Sequence, residues 1–356
     1  MMRAAALRIA LFAGLACGCP SPTATAVSDA GSDGGDAAPE PPAWSIALEH
    51  LDGALLSMWG SSPSDLLAVG GPLGNGGLKP LVVRYDGKAW KRLDPGGTAS
   101  FWWVHGASAT DVWMVGEKGR ITHYDGTAFK EHASGTTATL FGAWAASKTD
   151  AWAVGGTPEG APNDVLLHWD GTAWTPSPLP EALGRTLFKV WGTSADNVYV
   201  VGEAGTIWHR SSGTWTLESK TPLAHGNLVT VNGCSATEVY AVGERDVLRS
   251  DGKTWSRVDV TLQNGVNGVA CGRTPTGESE VLIVGLGGLK QRLVGGKWID
   301  DFGTVPYTDL HGAWVDATGV QWGVGGNFIG TARAGVSREG VVARYGTGTI
   351  APVLSP

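Results

Sequence analysis

Apolar residues along this chain fall in short runs that alternate with polar ones and stop at Gly, Asp, Ser or Thr. From Leu187 the runs read "LFKVWGTS", "NVYVVG", "TIWHR" and "TWTLES". Alternation with a period of two, β-branched and aromatic content and turn residues at both ends predict strands, four in succession. The pattern then repeats. "SADNVYVVGEAGTIWHRSSGTWTLES" from Ser194 is nearly the line "SATDVWMVGEKGRITHYDGTAFKEHA" from Ser108. Its Val-Gly element returns with Gly at 70, 116, 155, 202, 243, 285 and 325, at spacings of 39 to 47 residues. A period near 42 in strand-forming residues predicts a β-propeller of four-stranded blades. With 54 Gly, 17 Trp and only 17% charged residues among 356, the composition fits short strands and tight turns rather than helices.

Between the third and fourth strands stand "YDGKAW" from Tyr85, "YDGTAF" from Tyr124, "WDGTAW" from Trp169 and "SDGKTW" from Ser250. Gly supplies a positive φ and Asp bonds its own turn backbone, so each reads as a hairpin. These units resemble the Asp-box (BNR-type) propellers. More closely they resemble the photosystem II assembly-factor type of seven-bladed propeller, over about residues 44 to 350. The turn here is one residue shorter, with one Gly in place of two. The resemblance implies the fold and no particular activity, since such propellers serve sialidases, assembly factors and binding scaffolds alike.

Closure follows from spacing. A fourth-strand aromatic (Trp90, Phe129, Trp174, Trp215, Trp255, Trp298) precedes the next first-strand position by 15 to 17 residues, and Trp44 stands 15 before Trp59. "PAWSIAL" therefore reads as a fourth strand without a unit of its own, and the last unit lacks a Trp strand. Pairing the two gives a seventh blade built from both termini, although Ile350 also falls at fourth-strand spacing. Closure would remove the open sheet edges.

Two positions recur in every unit. One holds Leu67, Trp113, Trp152, Tyr199, Tyr240, Leu282 and Trp322 on the second strand. The other holds Arg84, His123, His168, His209, Arg249, Arg292 and Arg344 on the third. Reflection about the hairpin sets Trp113 opposite His123 and Tyr199 opposite His209. The pairs read as a cation–aromatic strut in each blade, or as a ring of seven basic groups for an anion. Asp65, Asp111, Asp150, Asp196 or Glu238 would be carboxylate partners of the strut.

The first residues, "MMRAAALRIALFAGLACGCP", carry Arg3 and Arg8, a short apolar run and small residues before a Cys. This resembles a bacterial lipoprotein signal, with Cys19 as the lipidated residue and Cys17 as the alternative; an ordinary secretory signal is the other reading. Residues 1–19 then form the signal, 20–41 a disordered Ser/Ala/Gly/Pro/Asp tether, and 42–356 the propeller. Outside the cytoplasm, Cys234 and Cys271 would form a disulfide or remain two small buried thiols.

A net charge of -7 argues against nucleic acid as partner. No HExxH, GxSxG or phosphate loop is present, and no cofactor or metal is expected. Glu117, Glu203 and Glu244 follow the Val-Gly element in tight hairpins, where turn chemistry is the reading. Glu181, His225, Asp300, Asp301, His311 and Asp316 are non-repeated but share no spacing. The second-to-third connections are long after Gly70, Gly155 and Gly325, which makes that face the place for a ligand, or only a tolerant surface. The expectation is an all-β, seven-bladed propeller. It would be lipid-anchored outside the cytoplasm or secreted, and would bind a protein or glycan without catalysis. A glycoside hydrolase or lyase on the same face is the alternative.

Overall fold

Each repeat folds as its alternation dictates. In blade 4, Leu187–Ser194, Asn197–Gly202, Ile207–Ser211 and Thr214–Leu217 pair antiparallel in that order. Six further sheets contain the same succession of four antiparallel strands, with first strands Ala54–Ser62, Phe101–Ser108, Thr139–Ser147, Thr230–Ser235, Val266–Arg273 and Leu310–Val315 in blades 1, 2, 3, 5, 6 and 7. First strands of successive blades pack on one another around the whole ring, blade 7 onto blade 1 included. The result is a seven-bladed, all-β propeller. This computed structural model describes residues 40–71, 79–158, 160–219, 223–327 and 339–355. The readings for Cys17, Cys19 and most of the tether lie outside those residues.

Helix among the described residues is confined to three 3₁₀ turns, Glu117–Gly119, Glu203–Gly205 and Leu286–Gly288, each in a second-to-third hairpin. Glycine closes each with a positive φ. At Gly119 a Cβ would lie 2.0 Å from the Thr136 carbonyl oxygen, so conformation and space both demand glycine.

The seventh blade is composite. Its sheet runs from Ala43–Leu51 through Gly340–Gly346 and Gln321–Gly326 to Leu310–Val315, with Trp44 opposite Tyr345. The N-terminal segment is thus the outer strand of the last blade. Ile350 stays out of it and packs against the blade 1 core. Beyond it Leu354–Ser355 lie parallel to Trp90–Arg92 as a fifth strand on blade 1. The first described strand thus completes blade 7, and the last lies on the outer edge of blade 1.

Seams between blades follow a rule written in the first strands. Trp314, Trp59, Trp144 and Trp191 each lie over a glycine of the next blade, namely Gly60, Gly106, Gly192 and Gly233; a Cβ there would meet the indole at 2.6–3.0 Å. Trp144 and Trp191 are buried there and Trp59 and Trp314 partly so, and aromatics of this size contribute heavily to packing energy. Of the three seams that lack the indole, two use a polar acceptor. His105 Nδ1 accepts from the Ala145 N–H at 3.1 Å, and Asn232 Oδ1 accepts from the Cys271 N–H at 2.9 Å.

Candidate functional site

All seven recurring pairs stand in register across their hairpins: Leu67 with Arg84, Trp113 with His123, Trp152 with His168, Tyr199 with His209, Tyr240 with Arg249, Leu282 with Arg292 and Trp322 with Arg344. His209 stacks on Tyr199 at 4.0 Å between ring centroids; His168 and His123 lie 4.3 and 4.6 Å from Trp152 and Trp113. Carboxylates complete three struts, Asp65 with Arg84 at 2.8 Å, Asp111 with His123 at 2.7 Å and Asp150 with His168 at 2.8 Å. Blade 4 differs from expectation: His209 meets Asn197 and Glu218, both at 2.8 Å, while Asp196 accepts from Arg210. Glu238 accepts instead from Tyr240 and Ser279. These basic groups therefore stand one per blade, engaged locally, rather than converging on one centre.

The recurring acids are bound up in turns. Asp125 Oδ1 accepts the N–H groups of Ala128 and Thr127, then the Thr127 hydroxyl, and these bonds hold its carboxyl at about 2. At Asp170 the Thr172 hydroxyl, then the Ala173 and Thr172 N–H groups, have the same effect, again to about 2. Glu117, Glu203 and Glu244 accept the N–H groups of Ser100, Thr186 and Asn227, pinning each incoming blade connection to its hairpin.

Around the axis a different chemistry gathers. Trp102, Phe141, Phe188 and His311 meet in ring contacts of 4.8–6.4 Å. Lys189 crosses Gly142, where a Cβ would fall 2.8 Å from its Cα, and donates to the Phe141 carbonyl at 2.7 Å beneath Trp103. Burial lowers Lys189 to about 7; burial and then the Lys189 charge lower His311 to about 3. Nothing in the local sequence pattern marks Lys189, whose partners come from blades 2, 3 and 7.

His105 is lowered to about 4 by burial alone. In the unfolded chain it titrates near 6.5, so between these values the unfolded state binds a proton that the folded state refuses. Stability is thus lost as pH falls from about 6.5 to about 4, by at most about 3 kcal/mol for this group. His105→Asn installs the acceptor used at the Asn232 seam. Urea unfolding at about pH 7.5 and about pH 5 should show a shallower pH dependence in the variant, with His311 and His132, both lowered first by burial, among the groups that keep a residual dependence. Equal slopes for both proteins would contradict the assignment.

The face that carries the blade-to-blade connections holds a cleft of about 550 Å³ between blades 6 and 7. Ile46, Val305, Pro306 and Val341 give it apolar walls, Tyr307 stands 67% exposed at its edge, and Glu49, His50 and Glu339 supply polar groups. His50 Nδ1 lies 3.2 Å from Glu339. On the same face the blade 3 connection is braced by Asn163, which accepts from Thr157, and by Asp164, which accepts from Gly184 and Arg185. Most of the long connections after Gly70 and Gly325 lie outside the described residues. At the blade 5 edge Asp246 accepts from the His225 backbone N–H and from Arg257; burial raises its carboxyl, but these bonds outweigh that and keep it low.

Cys234 and Cys271 are joined by a disulfide between the first strands of blades 5 and 6, with Cα atoms 5.0 Å apart. Among the described residues no group of three or more His, Cys, Asp or Glu is placed to hold a metal ion. Of the non-repeated polar residues, Asp301 receives the Trp44 indole N–H at 2.8 Å and Arg292 Nε at 2.5 Å, a bridge between blades 6 and 7.

No protein-family model matches the chain, and no curated protein matches it. Solved structures do. A streptogramin B lyase superimposes with a TM-score of 0.67 at 13% identity, covering 86% of this chain and 98% of that one. YCF48 bound to a D1 peptide gives 0.61 at 15% identity, over 85% and 96%. The WD40 repeats of RRP9 give 0.64 at 10% identity, over 87% and 100%. These likenesses define the class, a seven-bladed β-propeller, and at such identities they carry the fold alone.

Proposed function

We propose that the chain is a non-catalytic binding scaffold. It takes a protein or glycan partner on the connection face, and it is held outside the cytoplasm by a lipid on Cys19. The observation that carries the reading is the cleft between blades 6 and 7, with apolar walls and one largely exposed tyrosine on a rigid ring. The local use of the recurring acids and bases in struts and turns supports it, because a hydrolase or lyase needs them convergent. YCF48 bound to a D1 peptide is a propeller of this architecture with a peptide partner. The disulfide fits an oxidising compartment.

The test is recovery of partners from envelope extracts with the tagged chain, together with a glycan array. Tyr307→Ala is expected to weaken the recovered interaction at least about tenfold, as loss of an aromatic anchor does. In the same cells Cys19→Ala should move the protein from the membrane to the soluble fraction. Binding indifferent to Tyr307, or turnover of the bound molecule, would overturn the scaffold reading. Unchanged fractionation of the Cys19→Ala protein would remove the anchor.

A further inference from the structure

Blade 7 breaks the strut rule, and the break leaves a cleft on the face opposite the connections. In blades 1 to 4 the residue two before the second-strand reference position is Asp65, Asp111, Asp150 or Asn197, and each bonds the third-strand Arg or His of its own blade at 2.7–2.8 Å. Blade 7 has Val320 there. Among the described residues Arg344 accordingly forms no ion pair; its Nη1 donates to the carbonyls of Thr347 and Gly348 at 2.9 and 3.1 Å, and its guanidinium stands 5.8 Å from the Trp322 ring centroid.

The second difference is the missing turn. Blades 1, 2, 3 and 5 fold an Asp-Gly hairpin over this end of the third strand. In blade 7 the chain leaves Tyr345 for the outer edge of blade 1 instead. A cleft of about 250 Å³ lies where the departing chain passes between blades 7 and 1, lined by Tyr85, Asp316, Thr318, Trp322, Arg344 and Thr349 among others. Asp316 is 1% exposed. Its Oδ1 accepts from the Thr318 N–H at 2.8 Å, the Thr318 hydroxyl at 2.5 Å and the Val320 N–H at 3.0 Å, whereas Oδ2 has no partner. A buried carboxylate oxygen without a donor is costly and rare.

One wall of the cleft thus has a guanidinium without an anion, and another has a carboxylate oxygen without a donor. We infer that this cleft is a binding site for a sugar acid of one-ring size, such as a hexuronate unit, whose carboxylate meets Arg344 and whose hydroxyl donates to Asp316. A carboxylate matches the planar guanidinium in two parallel bonds. Hydroxyls on Thr318 and Thr349 suit a polyol, and Tyr85 and Trp322 add aromatic surface to the lining. The volume is below the ~300–1,000 Å³ of sites for larger organic ligands, which limits the occupant to about one ring. The site stands apart from the connection-face cleft and does not depend on it.

Titration calorimetry with D-glucuronate, D-glucose and acetate, on the folded chain, tests the inference. Glucuronate should bind at least about tenfold more tightly than either of the others, since it alone supplies both groups. Arg344→Gln should weaken glucuronate by about tenfold or more. Val320→Asp installs beside Arg344 the carboxylate that blades 1 to 3 carry, and should abolish binding with the melting temperature kept or raised. That result separates occupation of Arg344 from damage to the fold. No glucuronate binding by the folded wild type, binding unchanged in both variants, or acetate bound as tightly as glucuronate would each overturn the proposal.

Discussion

Removing residues 43–51 is expected to abolish cooperative unfolding, and Trp44→Ala alone to lower stability by about 3–5 kcal/mol. The outer strand of blade 7 comes from the N-terminus, so its deletion leaves a three-stranded sheet with an unpaired edge. Trp44 is 7% exposed and reaches across the seam: its indole donates to Asp301, Lys290 Nζ sits 5.5 Å from its ring centroid, and Tyr345 packs at 5.6 Å. Arg292, bonded to the same Asp301, lies 3.7 Å over Tyr345. One substitution therefore opens a core cavity and strips a donor from a half-buried carboxylate. Thermal unfolding followed by circular dichroism should show a fall on the order of 10 °C for Trp44→Ala. Trp44→Phe keeps most of the packing and loses only the N–H, at about 1 kcal/mol. A melting temperature within a degree or two of wild type for Trp44→Ala would mean that the N-terminal strand does not hold the ring.

Reduction of the Cys234–Cys271 bond is expected to cost about 4 kcal/mol, from the chain entropy of a loop closed over a separation of 37 residues. The bond sits where the seam rule weakens. Four seams carry a Trp on a glycine, whereas the seam between blades 5 and 6 has Asn232 and two cysteines. The covalent link and the Asn232 hydrogen bond stand in for a missing indole. Urea unfolding with and without dithiothreitol measures the difference. Thiol counting on denatured, unreduced protein lacking its signal should find neither cysteine free. Two free thiols from these positions would reject the bond, and an unchanged urea midpoint on reduction would reject its contribution.

What the sequence alone determined is what repeats. The Val-Gly spacing counted the blades, and alternation assigned the strands. Hairpin reflection set Trp113 against His123 and its six counterparts, because pairing across a short turn is a matter of counting. The distance from Trp44 to Trp59, matched to the other blades, placed the N-terminal segment in the last blade, where it lies. Asp125 and Asp170 were readable as turn formers because their partners are two and three residues away. Only the tertiary structure decided what happens between blades. Trp44 meets Asp301 across 257 residues, Lys189 reaches a carbonyl 48 residues back, and Leu354 lies beside Trp90. The orphaned Asp316 oxygen and Arg344, which has no ion pair among the described residues, share one cleft only when blade 7 closes on blade 1. No periodicity encodes such contacts. They depend on side-chain reach across seams set by the closed ring, and a pattern that describes one blade at a time contains no term for its neighbour.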